Sequence, residues 1–161
     1  MMIPDARLKE ALSEELAVYE RLLGLSKRKQ KLLLERFSTD LMKIVAEEEK
    51  EVSHLLELEN IRIECLTEIT GKSNVNLEEA LGKISDSDMK SDLWMLGCRL
   101  KEIIAEIKTI NERNQKLLEQ ALELTQYSIR LITTLPAKTT YGPGGQGKGS
   151  SPGSIIIDRK A

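Results

Sequence analysis

"LWMLGCRLKEIIAEIKTINERNQKLLEQALELTQYSIRLITTL", residues 93–135, decides the fold. Leu93, Leu96, Leu100, Ile103, Ile107, Ile110, Asn114, Leu117, Ala121, Leu124, Ser128, Leu131 and Leu135 recur in steps of three and four without a slip. That spacing is the seam of a long amphipathic helix packed against other helices along its length. Capping residues at Ser85–Asp88 start the helix. Pro136 stops it, because the residue before a proline is driven out of the helical region. A helix over about 87–135 measures roughly 72 Å at 1.5 Å per residue.

Two more long helices precede it. Pro4 and Asp5 are start signals, and Leu8, Leu12, Leu16, Tyr19, Leu23, Ser26, Gln30, Leu33 and Phe37 mark a seam over about 5–36. Ser38, Thr39 and Asp40 are all good N-cap residues for a second helix. It runs over about 40–70 and carries Leu41, Ile44, Val45, Val52, Leu55, Leu56, Ile63, Leu66 and Ile69. Its "EEEKE" run (47–51) reads as a solvated face, and Gly71 ends it. Within the connector 72–88, Asn76 caps a short helix over about 77–84. Short links between long helices give an all-α, up-down-up antiparallel bundle of three long helices plus this short connecting helix.

Two domains of unequal kind follow: a helical body, 1–135, and a tail, 136–161. The tail is rich in Gly, Pro and Ser, a flexible-linker composition, and ends in the apolar patch Ile155–Ile157. Helices 1 and 2 each measure roughly 46 Å, so the third exceeds them by ~15 to 17 residues. The expected overhang is about 119–135. Leu117, Leu118, Ala121, Leu124, Tyr127, Ser128, Leu131, Ile132 and Leu135 are therefore the candidate protein-binding residues, a helical face with no partner inside the chain. The small residues Ala121 and Ser128 leave room for larger side chains of a partner. The competing reading is a self-associating structural coiled coil, a homodimer in which a second copy covers this face. By rise counting, Gln30, Asn114 and Glu48 or Glu49 fall at similar heights, where they either meet in a polar layer across the bundle or point to solvent at its rim.

Composition narrows the function. Hydrophobic residues are 40 %, charged 31 % and aromatic only 3 %. Of the net charge of −2, the tail carries +3 (Lys138, Lys148, Arg159 and Lys160 against Asp158), which leaves −5 on the body. An acidic body lacks the clustered bases that nucleic acid requires. No run reaches the ~18–20 apolar residues of a membrane span, and no signal peptide is legible, so a cytoplasmic location is expected. Cys65 and Cys98 form no CxxC pair and read as two buried free thiols.

Chemistry finds little support. "GPGGQGKG" (142–149) nearly spells a phosphate loop. Gly149 follows Lys148 where Ser or Thr should hold a magnesium ion, and neither a strand before it nor a helix after it supplies the usual cradle. His54 is alone, too little for a metal site, and no nucleophile has a partner set. The chain reads as a non-enzyme with no cofactor, metal or catalytic residue.

The residues also carry a resemblance. The "STD" break before the second helix, "NERNQKLLEQALELTQYSIRLI" (111–132) and "TYGPGGQ" followed by "IIIDRKA" are similar to the FlgN family of flagellar export chaperones. The resemblance implies a chaperone that binds the C-terminal segments of the hook-associated proteins FlgK and FlgL, prevents premature assembly and delivers them to the type III export gate. It places substrate binding in the C-terminal part, here about 117–135. It further implies that a tyrosine engages the gate protein FlhA. Tyr141 matches that residue best, with Tyr127 second.

Overall fold

In a computed structural model, residues 3–35 and 39–134 are described. They form α1 (Pro4–Leu34), α2 (Leu41–Thr70), the short α3 (Leu77–Leu81) and α4 (Ser87–Thr134). No strand occurs among the described residues. Two compact units divide the chain, Met1–Leu118 and Glu119–Ala161.

The punctuation of the helices has local causes. Pro4 opens α1, where its missing N–H is not needed, and Asp5 sits in the first turn. Gly71 ends α2 with φ +70°, its N–H donating to Thr67 O at 2.7 Å. Only glycine takes that left-handed conformation cheaply. The Asn76 side chain accepts from Glu79 N at 2.9 Å and so caps α3. Asp86 Oδ1 accepts from the N–H groups of Asp88 and Met89 and caps α4. Asp40 departs from expectation. It precedes α2 in helical conformation and makes no side-chain cap bond. Its carboxylate lies 3.6 Å from Lys43 Nζ instead.

Ion pairs give the register of the first unit. Arg7 meets Glu64 and Glu68, Arg21 meets Glu51, and Lys29 meets Glu48, so α1 and α2 are antiparallel. Lys9 meets Asp92, Glu20 meets Arg99, and Lys27 meets Glu106, so α1 and α4 are parallel. The "EEEKE" run is not simply solvated: Glu47, Glu48 and Glu51 pair with Arg28, Lys29 and Arg21 of α1.

Two apolar clusters fill the interior. Leu8, Leu12, Cys65, Leu66, Ala80, Leu81, Ile84, Leu93 and Leu100 join all four helices at one end. Val18, Leu22 and Leu58 form the second, with Ile107 of α4 against it. On α1 the buried line is Leu8, Ala11, Glu15, Val18, Leu22 and Leu25, with Leu12 and Ser26 beside it. Leu16, Tyr19, Leu23 and Gln30 of the expected seam are half-buried. α1 and α2 approach closely along their length, and the small Ala11 lies on the face that permits it. Val52, Leu56 and Ile63 of α2 are exposed, because the buried arc of α2 runs through Ile44, Leu58, Cys65 and Leu66. Cys65 is buried, but Cys98 is half-buried, and both thiols are free.

The polar layer exists in a shifted form. Asn114 is buried and donates to Ser26 O at 3.0 Å, while Ser26 Oγ donates to Asn111 Oδ1 at 3.0 Å. Glu48 instead takes Lys29 at 2.8 Å, and Gln30 lies one turn beyond the layer. A second polar feature was not anticipated. Glu15 is 5 % exposed and lies 3.3 Å from Arg62 Nε, while Arg62 Nη2 lies 3.5 Å from Glu59.

Candidate functional site

No residue of α4 after Asn114 is buried among those described. Residues 119–134 belong to the second unit and are helical throughout. All except Ile129 are exposed.

Helical geometry sorts these side chains. At 100° per residue, Ala121, Leu124, Ser128 and Leu131 fall on one stripe. Leu122, Thr125, Ile129 and Ile132 fall on a second, centred about 100° away. Glu119, Glu123, Gln126, Arg130 and Thr133 take the opposite side. Leu122 is 50 % exposed, Leu124 53 %, Leu131 48 % and Ile132 70 %. Leucines at such values in isolation would be unremarkable, but a contiguous apolar row marks an interaction surface. The row's one hydroxyl in the second stripe is already satisfied, since Thr125 Oγ1 donates to Ala121 O at 2.9 Å. It makes no demand on whatever covers the stripe.

The candidate residues are thus placed as follows. Ala121, Leu124, Tyr127, Ser128, Leu131 and Ile132 are exposed on the second unit. Leu117, half-buried, and Leu118, exposed, stand at the end of the first. Leu135 and Tyr141, with the phosphate-loop-like stretch and Ile155–Ile157, lie outside the described residues. Ile129 completes the second stripe and was missed, although its spacing from Leu118, Leu122, Thr125 and Ile132 is legible in the sequence.

Two clefts of about 210 and 180 Å³ fall below the ~300 Å³ at which ligand pockets begin. Among the described residues no group of three metal-ligating side chains comes together. His54 is exposed. No described helix is long and apolar enough to cross a membrane.

Comparison with known proteins decides the family. The model of the family described as "FlgN protein" matches residues 1–149. The chain belongs to the FlgN family. It is therefore a member of a family of flagellar export chaperones, and the open helical face is to be understood in that light. The chain is also similar to the "Uncharacterized protein YvyG" of Bacillus subtilis. The two are 27 % identical over 124 residues, covering 76 % of this chain and 77 % of that protein. No solved structure matches.

Proposed function

We propose that the chain binds the C-terminal helical segments of FlgK and FlgL, keeps them from assembling early and delivers them to the export gate protein FlhA in the cytoplasm. The docking surface in this reading is the apolar face of α4 over about 117–135, the third long helix of an up-down-up bundle. The observation that carries the reading is the exposure of Leu122, Leu124, Leu131 and Ile132 in a chain of this family. Substrate ends that form coiled coils polymerise when left free. A helix with open stripes satisfies their apolar side chains for a time. The substrate must order as it docks, which costs several kcal/mol and keeps the affinity moderate enough for release.

Tyr141 contacts FlhA in the same reading. Its position seven residues past Thr134 leaves the helical face to the substrate while the tyrosine meets the gate.

Calorimetric titration of the full-length chain with purified FlgK and FlgL tests this. Saturable 1:1 binding to at least one is expected, retained in Tyr141→Ala, with FlhA binding weakened at least tenfold by that substitution. Absence of binding to both FlgK and FlgL would sink the reading.

A further inference from the structure

The apolar face over 119–134 spans two adjacent stripes, and the same helix supplies the comparison. Within the first unit the buried residues of α4 lie on a single stripe: Leu93, Leu100, Ile103, Ile110 and Asn114. The adjacent stripe there reads Gly97, Lys101, Ile104, Lys108, Asn111 and Gln115, mostly polar or small. The buried residues of α4 in this unit thus lie on one seam, and the adjacent stripe adds only the bond Asn111 accepts from Ser26 Oγ and the approach of Gly97 to Leu77. From Leu118 onward the adjacent stripe changes to Leu118, Leu122, Thr125, Ile129 and Ile132. The first stripe, meanwhile, continues in unbroken register through Ala121, Leu124, Ser128 and Leu131. Together the two occupy about half of the helix circumference, against the ~100° of an ordinary buried helix face.

On this basis we infer that 119–134 seats two antiparallel helical segments of one substrate chain, a helix–turn–helix hairpin, one segment along each stripe. The inference rests on the chaperone reading and names the shape of its substrate. Each segment is amphipathic and apolar toward α4, and the two also pack on each other, so that complex formation builds a three-helix unit with its own core.

Size argues against a second copy of the chain as the occupant. The segment is about 24 Å long, and one stripe on a cylinder ~10 Å across offers roughly 200 Å². A copy laid along one stripe would bury about a quarter of the ~800 Å² per partner of a standard specific interface. Two segments double the contact and add their own mutual packing.

Paired substitutions separate the stripes. Leu124→Gln with Leu131→Gln alters the first, and Leu122→Gln with Ile132→Gln alters the second. Glutamine keeps helix propensity, and circular dichroism of both variants checks that α4 persists. Each full-length variant is titrated with FlgK and FlgL, and the unsubstituted chain is sedimented alone. Each pair should weaken binding by about tenfold or more, while the chain sediments as a monomer. Binding unchanged in the second-stripe variant would overturn the hairpin and leave the chaperone reading intact. So would a dimer that this variant dissociates. No binding by the unsubstituted chain would remove both.

Discussion

A chain ended after Leu118 folds, melts within a few degrees of the full-length protein and loses at least about a hundredfold in affinity for FlgK and FlgL. Every buried described residue lies at or before Asn114, so among the described residues the truncation removes no core. A few exposed leucines contribute little to folding, since burial and not presence supplies the free energy. On a substrate the same leucines become buried, at ~1.5–3 kcal/mol each, and two of them account for a hundredfold. Thermal unfolding and titration on one preparation read both halves of the expectation. A truncated chain that unfolds many degrees lower would mean that 119–161 supports the body. One that binds normally would place the docking surface on α1–α3 or on the first half of α4.

Arg62→Met should cost about 3 kcal/mol or more of stability, a large share of the ~5–15 kcal/mol of a whole domain. Glu15 is buried between the two apolar clusters, with Arg62 beside it. Burial holds the Glu15 carboxyl above the usual carboxylate range. Arg62 pulls against that rise and Glu59 adds to it. Removing Arg62 leaves a buried charge with Glu59 as its neighbour. The sign of the pH dependence follows. A carboxyl raised in the folded state binds more protons folded than unfolded, so its contribution to stability falls as pH rises through the carboxylate range. The Arg62→Met deficit should therefore be smaller at pH 4 than at pH 7, and adding Glu15→Gln should recover most of it. Chemical denaturation of the two single variants and the double variant at both pH values checks this. Equal deficits at pH 4 and 7, or no recovery in the double variant, would show that Arg62 acts through its stem packing alone.

The all-helical fold was legible because Leu93 to Leu131 repeat without a slip and because Gly71 and Asn76 punctuate by mechanisms fixed locally. What needed the structure was register. The polar layer runs through Ser26 and not Gln30, one turn away, since rise counting along separate helices leaves a turn undetermined. The line of α1 that becomes buried passes through Ala11 and Glu15 because α2 approaches on that side. A seam read from Leu16 and Tyr19 alone has no knowledge of α2. Glu15 could not be told from the exposed acids around it, as its burial arises from a helix some fifty residues on. Within the candidate site, the first stripe announced itself by its spacing. The second was hidden upstream by Lys101, Lys108 and Gln115 and turns apolar only from Leu118.

Hydrogen–deuterium exchange of the full-length chain, alone and saturated with FlgK or FlgL, tests the docking face most directly. Amides of 119–134, a stretch of α4 with no buried side chain, should exchange quickly alone and slow by about tenfold or more in the complex. Those of α1 and α2 should stay unchanged. Protection confined to α1, α2 or the first half of α4, with 119–134 unaltered, would contradict docking on this face.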